Sequence, residues 1–233
     1  MKAALLRSQI QETLPSAFTG YKPEQRETIP TGISAIDSIA CGIPLHLLTE
    51  ICGSNTASSG KTSVLTSLLA QASQDRFCAL VDATDSFSPE NGHAAGIDFA
   101  KLLWVRCGKS KVKLRPLEQA FKATDILLQS SGFGLIAVDL SGISETVVRR
   151  VPLSSWFRFS RVIEKQSAAL VFIGQEPHAT SCAGLVLRIS ADPKVFTGHL
   201  LTKLNLNVEV VRGREKKPVY SEHSQFFIQT QWA

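Results

Sequence analysis

One short run of the chain has the residue types and spacing of a phosphate-binding turn: Ser58, Ser59, Gly60, Lys61 and Thr62. It follows a short apolar run and opens a segment with helical periodicity. Successive backbone N–H groups in such a turn point at one anion, and the positive end of the helix dipole strengthens the attraction. The pattern predicts a nucleotide site in which Lys61 reaches the β- and γ-phosphates and the Thr62 hydroxyl ligates Mg²⁺.

The phosphate-binding turn departs from the usual pattern at its first glycine. The usual position holds Asn55, and the nearest earlier glycine is Gly53, with six residues before Gly60 where the pattern has four. Either Asn55 adopts the left-handed conformation that asparagine tolerates, or the loop carries a two-residue insertion. Both alternatives leave the amides of residues 58–62 available. An ordinary Ser/Gly turn ahead of a helix is the alternative that predicts no nucleotide.

A second candidate group is the carboxylate of Asp139, which ends the apolar run LIAVD. Open α/β sheets bind ligands at the carboxyl ends of their strands, and an acid placed there can hold Mg²⁺ through water. Asp139 and Thr62 are therefore the predicted magnesium residues.

The elements that must position these groups are apolar runs that alternate with amphipathic segments. Strands are predicted at residues 47–52, 77–82, 102–106, 135–139 and 169–174. Helices are predicted at residues 61–74 and 116–130, and a later helix should turn Leu153, Trp156, Phe157, Ser160 and Ile163 inward. Apolar strands that alternate with helices indicate a parallel sheet covered on both faces.

Three further strands are predicted at residues 185–189, 204–211 and 219–228, where apolar and polar residues alternate. We expect them to extend the sheet in antiparallel fashion. The predicted fold class is α/β, with a mostly parallel central sheet flanked by helices and an antiparallel C-terminal extension.

Length and composition limit the possible classes of protein. Of 233 residues, 44% are hydrophobic and 19% charged, which is enough apolar material for a core and excludes a disordered chain. The five cysteines are far apart and form no CxxC pair, which argues against a disulfide framework and a zinc site. No apolar run could span a membrane, and we expect a cytoplasmic protein. Residues 1–30 should form an N-terminal helix (3–14) and linker, and residues 31–233 the nucleotide-binding core.

A longer series of motifs resembles the core of the RecA recombinases. IPTGISAID at residues 29–37, TEICG at 49–53, SSGKT at 58–62, LVDA at 80–83, Asp139 and FIGQ at 172–175 occur in the RecA order. The resemblance covers about residues 28–228 and implies a RecA-type P-loop core that binds ATP and Mg²⁺. It places Gln175 as the sensor of the γ-phosphate, includes Gly53 among the nucleotide-binding residues, and favours the insertion in the phosphate loop.

The departures from RecA concern catalysis and DNA contact. The position of the catalytic glutamate holds Thr84, and a threonine hydroxyl is no general base near neutral pH. The neighbouring Asp85 is the candidate substitute base, although a shift of one residue changes where a side chain points. The segment after Asp139 is short and carries Arg149 and Arg150, the predicted DNA contacts, whereas residues 176–183 contain no lysine or arginine. The resemblance therefore predicts ATP binding with weak or absent hydrolysis.

A short RecA-like chain with these departures is similar to the ImuA family, the RecA-related accessory of the translesion mutasome. That resemblance implies an adaptor for error-prone translesion DNA synthesis in the SOS response to DNA damage. The implied partners are an ImuB-like Y-family polymerase homologue and an error-prone DNA polymerase, with RecA and single-stranded DNA as further candidates and no membrane. Two alternatives remain: an active DNA-dependent RecA paralogue ATPase in recombinational repair, and a SulA-like cell-division inhibitor that binds a protein partner.

The net charge of +5 is concentrated in three basic clusters. Their members are Arg106, Lys109, Lys111, Lys113 and Arg115; Arg149, Arg150, Arg158 and Arg161; and Arg212, Arg214, Lys216 and Lys217. Each could contact phosphates along DNA, bind an acidic partner, or remain solvated loop charge.

Overall fold

The computed structural model describes residues 27–53, 59–108, 115–191, 195–197, 200–213 and 222–227. The predicted helix at residues 3–14 lies outside these ranges, as do Asn55 and Ser58. Six members of the basic clusters also lie outside them: Lys109, Lys111, Lys113, Arg214, Lys216 and Lys217.

The described strands form a small ribbon and one large sheet. In chain order they are β1 (Thr28–Ile29), β2 (Ile43–Pro44), β3 (Leu48–Cys52), β4 (Cys78–Asp82), β5 (Leu102–Arg106), β6 (Leu135–Asp139), β7 (Ala169–Gly174), β8 (Leu185–Ala191), β9 (Val195–Thr197), β10 (Leu200–Arg212) and β11 (Glu222–Phe227). The large sheet has the order β11-β10-β8-β3-β7-β6-β4-β5, with β9 paired to β10. The six strands from β8 to β5 along this order are parallel, and β9, β10 and β11 pair antiparallel. The predicted fold class is confirmed.

Helices cover both faces of the parallel strands. They are α1 (Ser34–Ala40), α2 (Lys61–Asp75), α3 (Pro89–Ala94), α4 (Pro116–Ser130), α5 (Glu145–Val148) and α6 (Leu153–Ile163), with single 3₁₀ turns at Phe99–Lys101 and Thr180–Cys182. Helices α1 and α2 pack on one face and α4 and α6 on the other, so the core has two layers. Every residue of β3, β4 and β6 is buried, as expected for strands enclosed between helices.

Helix α6 buries a different face from the one predicted. The buried side chains are Trp156, Phe159 and Ile163, whereas Leu153 and Phe157 are each 43% exposed. The ring of Phe159 packs 5.7 Å from that of Phe172 on β7, which fixes the rotation of the helix. Phe157 follows Trp156 by one residue, about 100° around the helix axis, and therefore turns to solvent.

The prediction for residues 185–189 was wrong about strand direction. β8 pairs in parallel with β3, from Thr49 opposite Leu185 to Cys52 opposite Arg188. Its alternating pattern has another cause: Leu187 and Ile189 face the core, while Arg188 and Ser190 are at least partly exposed. Alternation of apolar and polar residues indicates that one face of a strand is solvated, and it does not indicate whether the strand runs parallel or antiparallel to its neighbour.

The first described strand, β1, pairs with β2, and Ile29 is buried in the core. The division of the chain at residue 30 stays a prediction. None of the helices in the described ranges is both long and apolar enough to cross a bilayer.

Candidate functional site

The predicted nucleotide residues meet at one edge of the parallel sheet. Strands β3, β7 and β6 are neighbours, and their register places Cys52 opposite Gly174 and Asp139 opposite Ile173. Gly53, Gln175 and Asp139 therefore stand at adjacent carboxyl ends, where parallel sheets bind ligands. Helix α2 begins at Lys61, so Lys61 and Thr62 form its first turn.

The Lys61 ammonium lies inside this edge. Its Nζ donates a hydrogen bond of 2.8 Å to the Gly53 carbonyl, and the residue is only 6% exposed. Burial lowers the pKa of the Lys61 ammonium, while the Asp139 carboxylate acts in the opposite direction. A buried cation with one carbonyl partner retains N–H groups that an anion could accept from.

Two glycines of the phosphate loop pack too closely for any other residue. Gly60 has a φ of 83°, and a Cβ added to it would lie 2.2 Å from Leu206 Cδ2 on β10. A Cβ on Gly53 would lie 2.5 Å from the Ile189 carbonyl oxygen on β8. The backbone beside Lys61 is therefore held against β8 and β10. The sequence pattern gave no sign of this contact between the loop and the C-terminal strands.

The Asp139 carboxylate is 5% exposed at the end of β6. Its Oδ1 accepts hydrogen bonds from the Ser141 backbone N–H, at 2.9 Å, and from the Ser141 hydroxyl, at 2.5 Å. Burial raises the pKa of Asp139, although the Ser141 hydrogen bonds and Lys61 oppose the shift. Within the described ranges, no group of three or more His, Cys, Asp or Glu residues could hold a metal ion. A metal ion bound at Asp139 would therefore need further oxygen ligands, such as phosphate oxygens.

Gln175 connects two segments that follow the sheet. Its side-chain Nε2 donates to the Ile143 carbonyl at 3.0 Å and to the Ser141 carbonyl at 3.4 Å. The predicted sensor is thus bonded to the segment that begins directly after Asp139. A movement of the Gln175 side chain would therefore act directly on that segment, because the two are joined by hydrogen bonds.

The carboxylates at the end of β4 and in the loop that follows it accept hydrogen bonds from other protein groups. Asp82 accepts hydrogen bonds from the backbone N–H groups of Ser86, at 3.0 Å, and Phe87, at 2.9 Å. Asp85 has a φ of 57°, and its carboxylate accepts from Arg106 Nε at 2.5 Å and Nη2 at 2.9 Å. This ion pair argues against Asp85 as the general base, and its assignment stays a prediction.

The Thr84 side chain, at the position of the RecA glutamate, lies against the backbone of the next loop. A Cβ added to Gly142 would stand 2.4 Å from Thr84 Oγ1. The residue therefore fills the space beside Gly142, and its hydroxyl lies 3.3 Å from the Ser86 hydroxyl. The position of the RecA glutamate therefore carries a hydroxyl in place of a carboxylate.

Glu50 is a site residue for which the sequence patterns predicted no role. It is 4% exposed, and its Oε1 accepts hydrogen bonds from the backbone N–H groups of His178, at 2.7 Å, and Ala179, at 3.0 Å. Its Oε2 has no hydrogen-bond partner within the described part of the chain. Burial raises the pKa of Glu50, and the two amides oppose this shift. The signal in the sequence was a lone acid in the otherwise uncharged strand LTEIC.

The predicted DNA residues Arg149 and Arg150 lie at the end of α5, and both are exposed. This segment faces the loop after Gln175. Burial lowers the pKa of His178 in that loop, while the charges of Glu145 and Glu176 raise it and that of Arg149 lowers it. The two segments that the resemblance relates to DNA loops therefore lie side by side. Their DNA contacts stay a prediction.

Comparison with known protein families identifies a match that covers part of the predicted nucleotide edge. The family model described as the RecA N-terminal domain matches residues 17–148, which is more than half of the chain. The matched range includes the phosphate loop, β4 and Asp139, and it ends with α5.

Proposed function

Because the chain belongs to the RecA N-terminal domain family, we propose that it binds ATP with Mg²⁺ at the shared edge of β3, β6 and β7 and hydrolyses it weakly or not at all. The observation that supports binding is the pair of buried opposite charges, Lys61 and Asp139, beside a phosphate-loop backbone that only glycine fits. A bound Mg²⁺–phosphate group would supply further opposite charge to both side chains.

The proposed role of each residue at this edge follows from its position in the structure. The amides of Ser59, Gly60 and Lys61 would bind phosphate at the start of α2, and the Lys61 ammonium would exchange its bond to Gly53 for phosphate oxygens. Thr62 and Asp139 would hold the metal ion, directly and through water. Gln175 would connect the occupied site to the segment at Ile143.

Weak hydrolysis is supported by the surroundings of Thr84. A general base must be within hydrogen-bond reach of the attacking water and free to accept its proton. Thr84 packs against Gly142, Asp82 accepts backbone amides, and Asp85 is paired with Arg106. In the described structure, the carboxylates of Asp82 and Asp85 therefore serve as hydrogen-bond acceptors for the loop after β4 and for Arg106, and neither is free to act as the base.

We further propose that the chain serves as an ImuA-like adaptor in translesion synthesis, with an ImuB-like polymerase homologue and an error-prone polymerase as partners. Nucleotide binding without turnover suits an adaptor, because a bound ligand can order the Gln175 and Ile143 segments while the complex persists. Co-purification of the chain with an ImuB-like protein tests this role. Retention of the partner on the tagged chain is expected, and failure to bind it at micromolar concentrations would exclude the role.

The nucleotide proposal is tested by Lys61→Ala in calorimetric titrations with ATP and Mg²⁺. Loss of charge-assisted hydrogen bonds should remove about 2–3 kcal/mol of binding free energy, roughly a 30- to 150-fold rise in Kd. Lys122→Ala is the matched control, because Lys122 is exposed on α4, away from the site. Equal ATP affinity in Lys61→Ala and wild type would refute the proposal.

A further inference from the structure

Two of the basic clusters contribute one arginine each to a single surface cavity. Arg161 belongs to α6 and Arg212 ends β10, 51 residues later (212 − 161). The cavity has a volume of about 310 Å³, and its described walls also include Phe157, Glu164, Ser160 and Ser181. That volume is at the lower end of the range for small-ligand sites.

The cavity lies at the opposite end of the sheet from Lys61 and Asp139. Gly184 lines it and donates its backbone N–H to the Leu48 carbonyl at the start of β3. Arg212 is paired in register with Val186, near the start of β8. The walls therefore stand at the amino ends of parallel strands, whereas the phosphate loop follows their carboxyl ends.

The cavity lining carries a small net positive charge. Arg161 makes no hydrogen bond or ion pair with any other described residue, and its side chain is exposed. Arg212 is anchored by a hydrogen bond from its Nη1 to the Thr180 carbonyl, and its other nitrogens retain N–H donors. Two arginines and Glu164 leave a net charge of +1 (2 − 1), which one carboxylate would balance.

The exposed aromatic residue on α6 adds an apolar wall. Phe157 lines the cavity and is 43% exposed, whereas the sequence pattern predicted a buried position. An apolar ring beside two guanidinium groups and two hydroxyls suits a peptide segment, which offers a carboxylate, backbone polar groups and an apolar side chain within one short stretch.

We propose that this cavity binds a partner protein through one carboxylate, presented on a peptide segment with an apolar side chain next to it. The guanidinium groups of Arg161 and Arg212 hold the carboxylate, and the apolar neighbour packs on Phe157. DNA fits less well, because it is bound by rows of cations along a strand, and here Glu164 lies among the cationic residues. This assignment is independent of nucleotide binding at the other end of the sheet.

The test is a nucleotide-free NMR titration of the full ¹⁵N-labelled chain. The probe is an acetylated, amidated Gly-Leu-Asp-Gly peptide, and its Gly-Leu-Asn-Gly analogue is the neutral control. Amides of the α6 C-terminal turn and of residues 181–184 should shift with the aspartate peptide at millimolar concentration, and at least about tenfold more weakly with the analogue. Arg161→Gln combined with Arg212→Gln should abolish the shifts. Arg158→Gln should leave them unchanged, because Arg158 lies on the same helix but pairs with Asp125.

Three results would overturn the proposal. The first is the absence of shifts with the aspartate peptide. The second is a response that survives in the double variant. The third is an equal or stronger response of the same amides to inorganic phosphate or a single-stranded 12-nucleotide DNA, which would identify a phosphate site.

Discussion

Single residues at the nucleotide edge are held in unfavourable protonation environments. Lys61 and Asp139 are both buried. Burial lowers the pKa of Lys61 and raises the pKa of Asp139, so it favours the neutral form of each. Such a pair lowers the stability of the empty protein, and a ligand that supplies counter-charges removes this penalty. For Lys61 and Asp139, two residues for which the sequence predicted a chemical role, burial therefore opposes ionisation.

Asp139→Asn tests this electrostatic argument. The folded-state pKa of Asp139 is raised, so folding is favoured by its protonated form, and stability decreases as pH rises above the usual titration range of aspartate. Asparagine Oδ1 can accept the same Ser141 hydrogen bonds without charge. We expect the variant without nucleotide to have a higher free energy of unfolding than wild type at pH 7 and a smaller gain at acid pH, measured by urea denaturation.

The same variant should lose Mg²⁺-dependent ATP binding. Asp125→Asn is the control, since Asp125 is partly exposed and paired with Arg158, and it should change neither quantity much. A lower free energy of unfolding for Asp139→Asn at neutral pH would contradict the argument, because it would show that the Ser141 hydrogen bonds and Lys61 stabilise the Asp139 carboxylate by more than burial destabilises it.

Structural elements around the site are joined by two contacts that the sequence did not reveal. Glu50 ties β3 to the loop after Gln175, and Leu206 of β10 packs on Gly60. Both contacts link the phosphate loop or its strand to segments more than a hundred residues away, which short-range periodicity cannot detect.

Substitutions of Glu50 test the first contact. Glu50→Ala leaves the His178 and Ala179 amides without their acceptor, at a cost of about 1–3 kcal/mol. We expect faster hydrogen exchange at these two amides and lower stability. Glu50→Gln keeps an acceptor oxygen and should exchange close to the wild-type rate. Unchanged exchange in Glu50→Ala would show that the loop is held by other groups.

Leu206→Ala tests the second contact. A buried leucine truncated to alanine costs about 2–5 kcal/mol, and here the space opens beside Gly60. Val208→Ala is the matched control, because Val208 is buried on the same strand and in the same core layer. Weaker ATP binding in Leu206→Ala than in Val208→Ala is expected by calorimetry. Equal ATP affinities in the two variants would show that the contact between Leu206 and Gly60 does not affect nucleotide binding.

At the scale of the whole molecule, some elements could be predicted from the sequence and others could not. Strands β3, β4, β6 and β7 were predictable because strands enclosed between helices are mostly apolar, and Lys61 and Asp139 were predictable because each stands at or shortly after the end of such a strand. The direction of β8 and the buried face of α6 were not, because partners distant in sequence set them. The short helices α1, α3 and α5 hold too few residues for a periodic signal.

The molecule as a whole presents two separate surfaces, the proposed nucleotide edge at the carboxyl ends of the parallel strands and a cationic cavity at their amino ends. Such a division suits the proposed adaptor role, because ligand binding and partner binding then do not compete for one surface. The chain belongs to the RecA N-terminal domain family and carries Thr84 at the position of the RecA glutamate, and our proposal is that it keeps nucleotide binding without efficient hydrolysis.

The most direct test of the central claim is a single-turnover assay with protein in excess over γ-labelled ATP, with Mg²⁺ and with or without single-stranded DNA. Filter retention measures binding, and acid quenching measures released phosphate in the same samples. We predict that wild type retains the label as intact ATP, with phosphate release no faster than for Lys61→Ala. DNA-stimulated release that Lys61→Ala abolishes would contradict the claim, and so would failure of wild type to retain ATP.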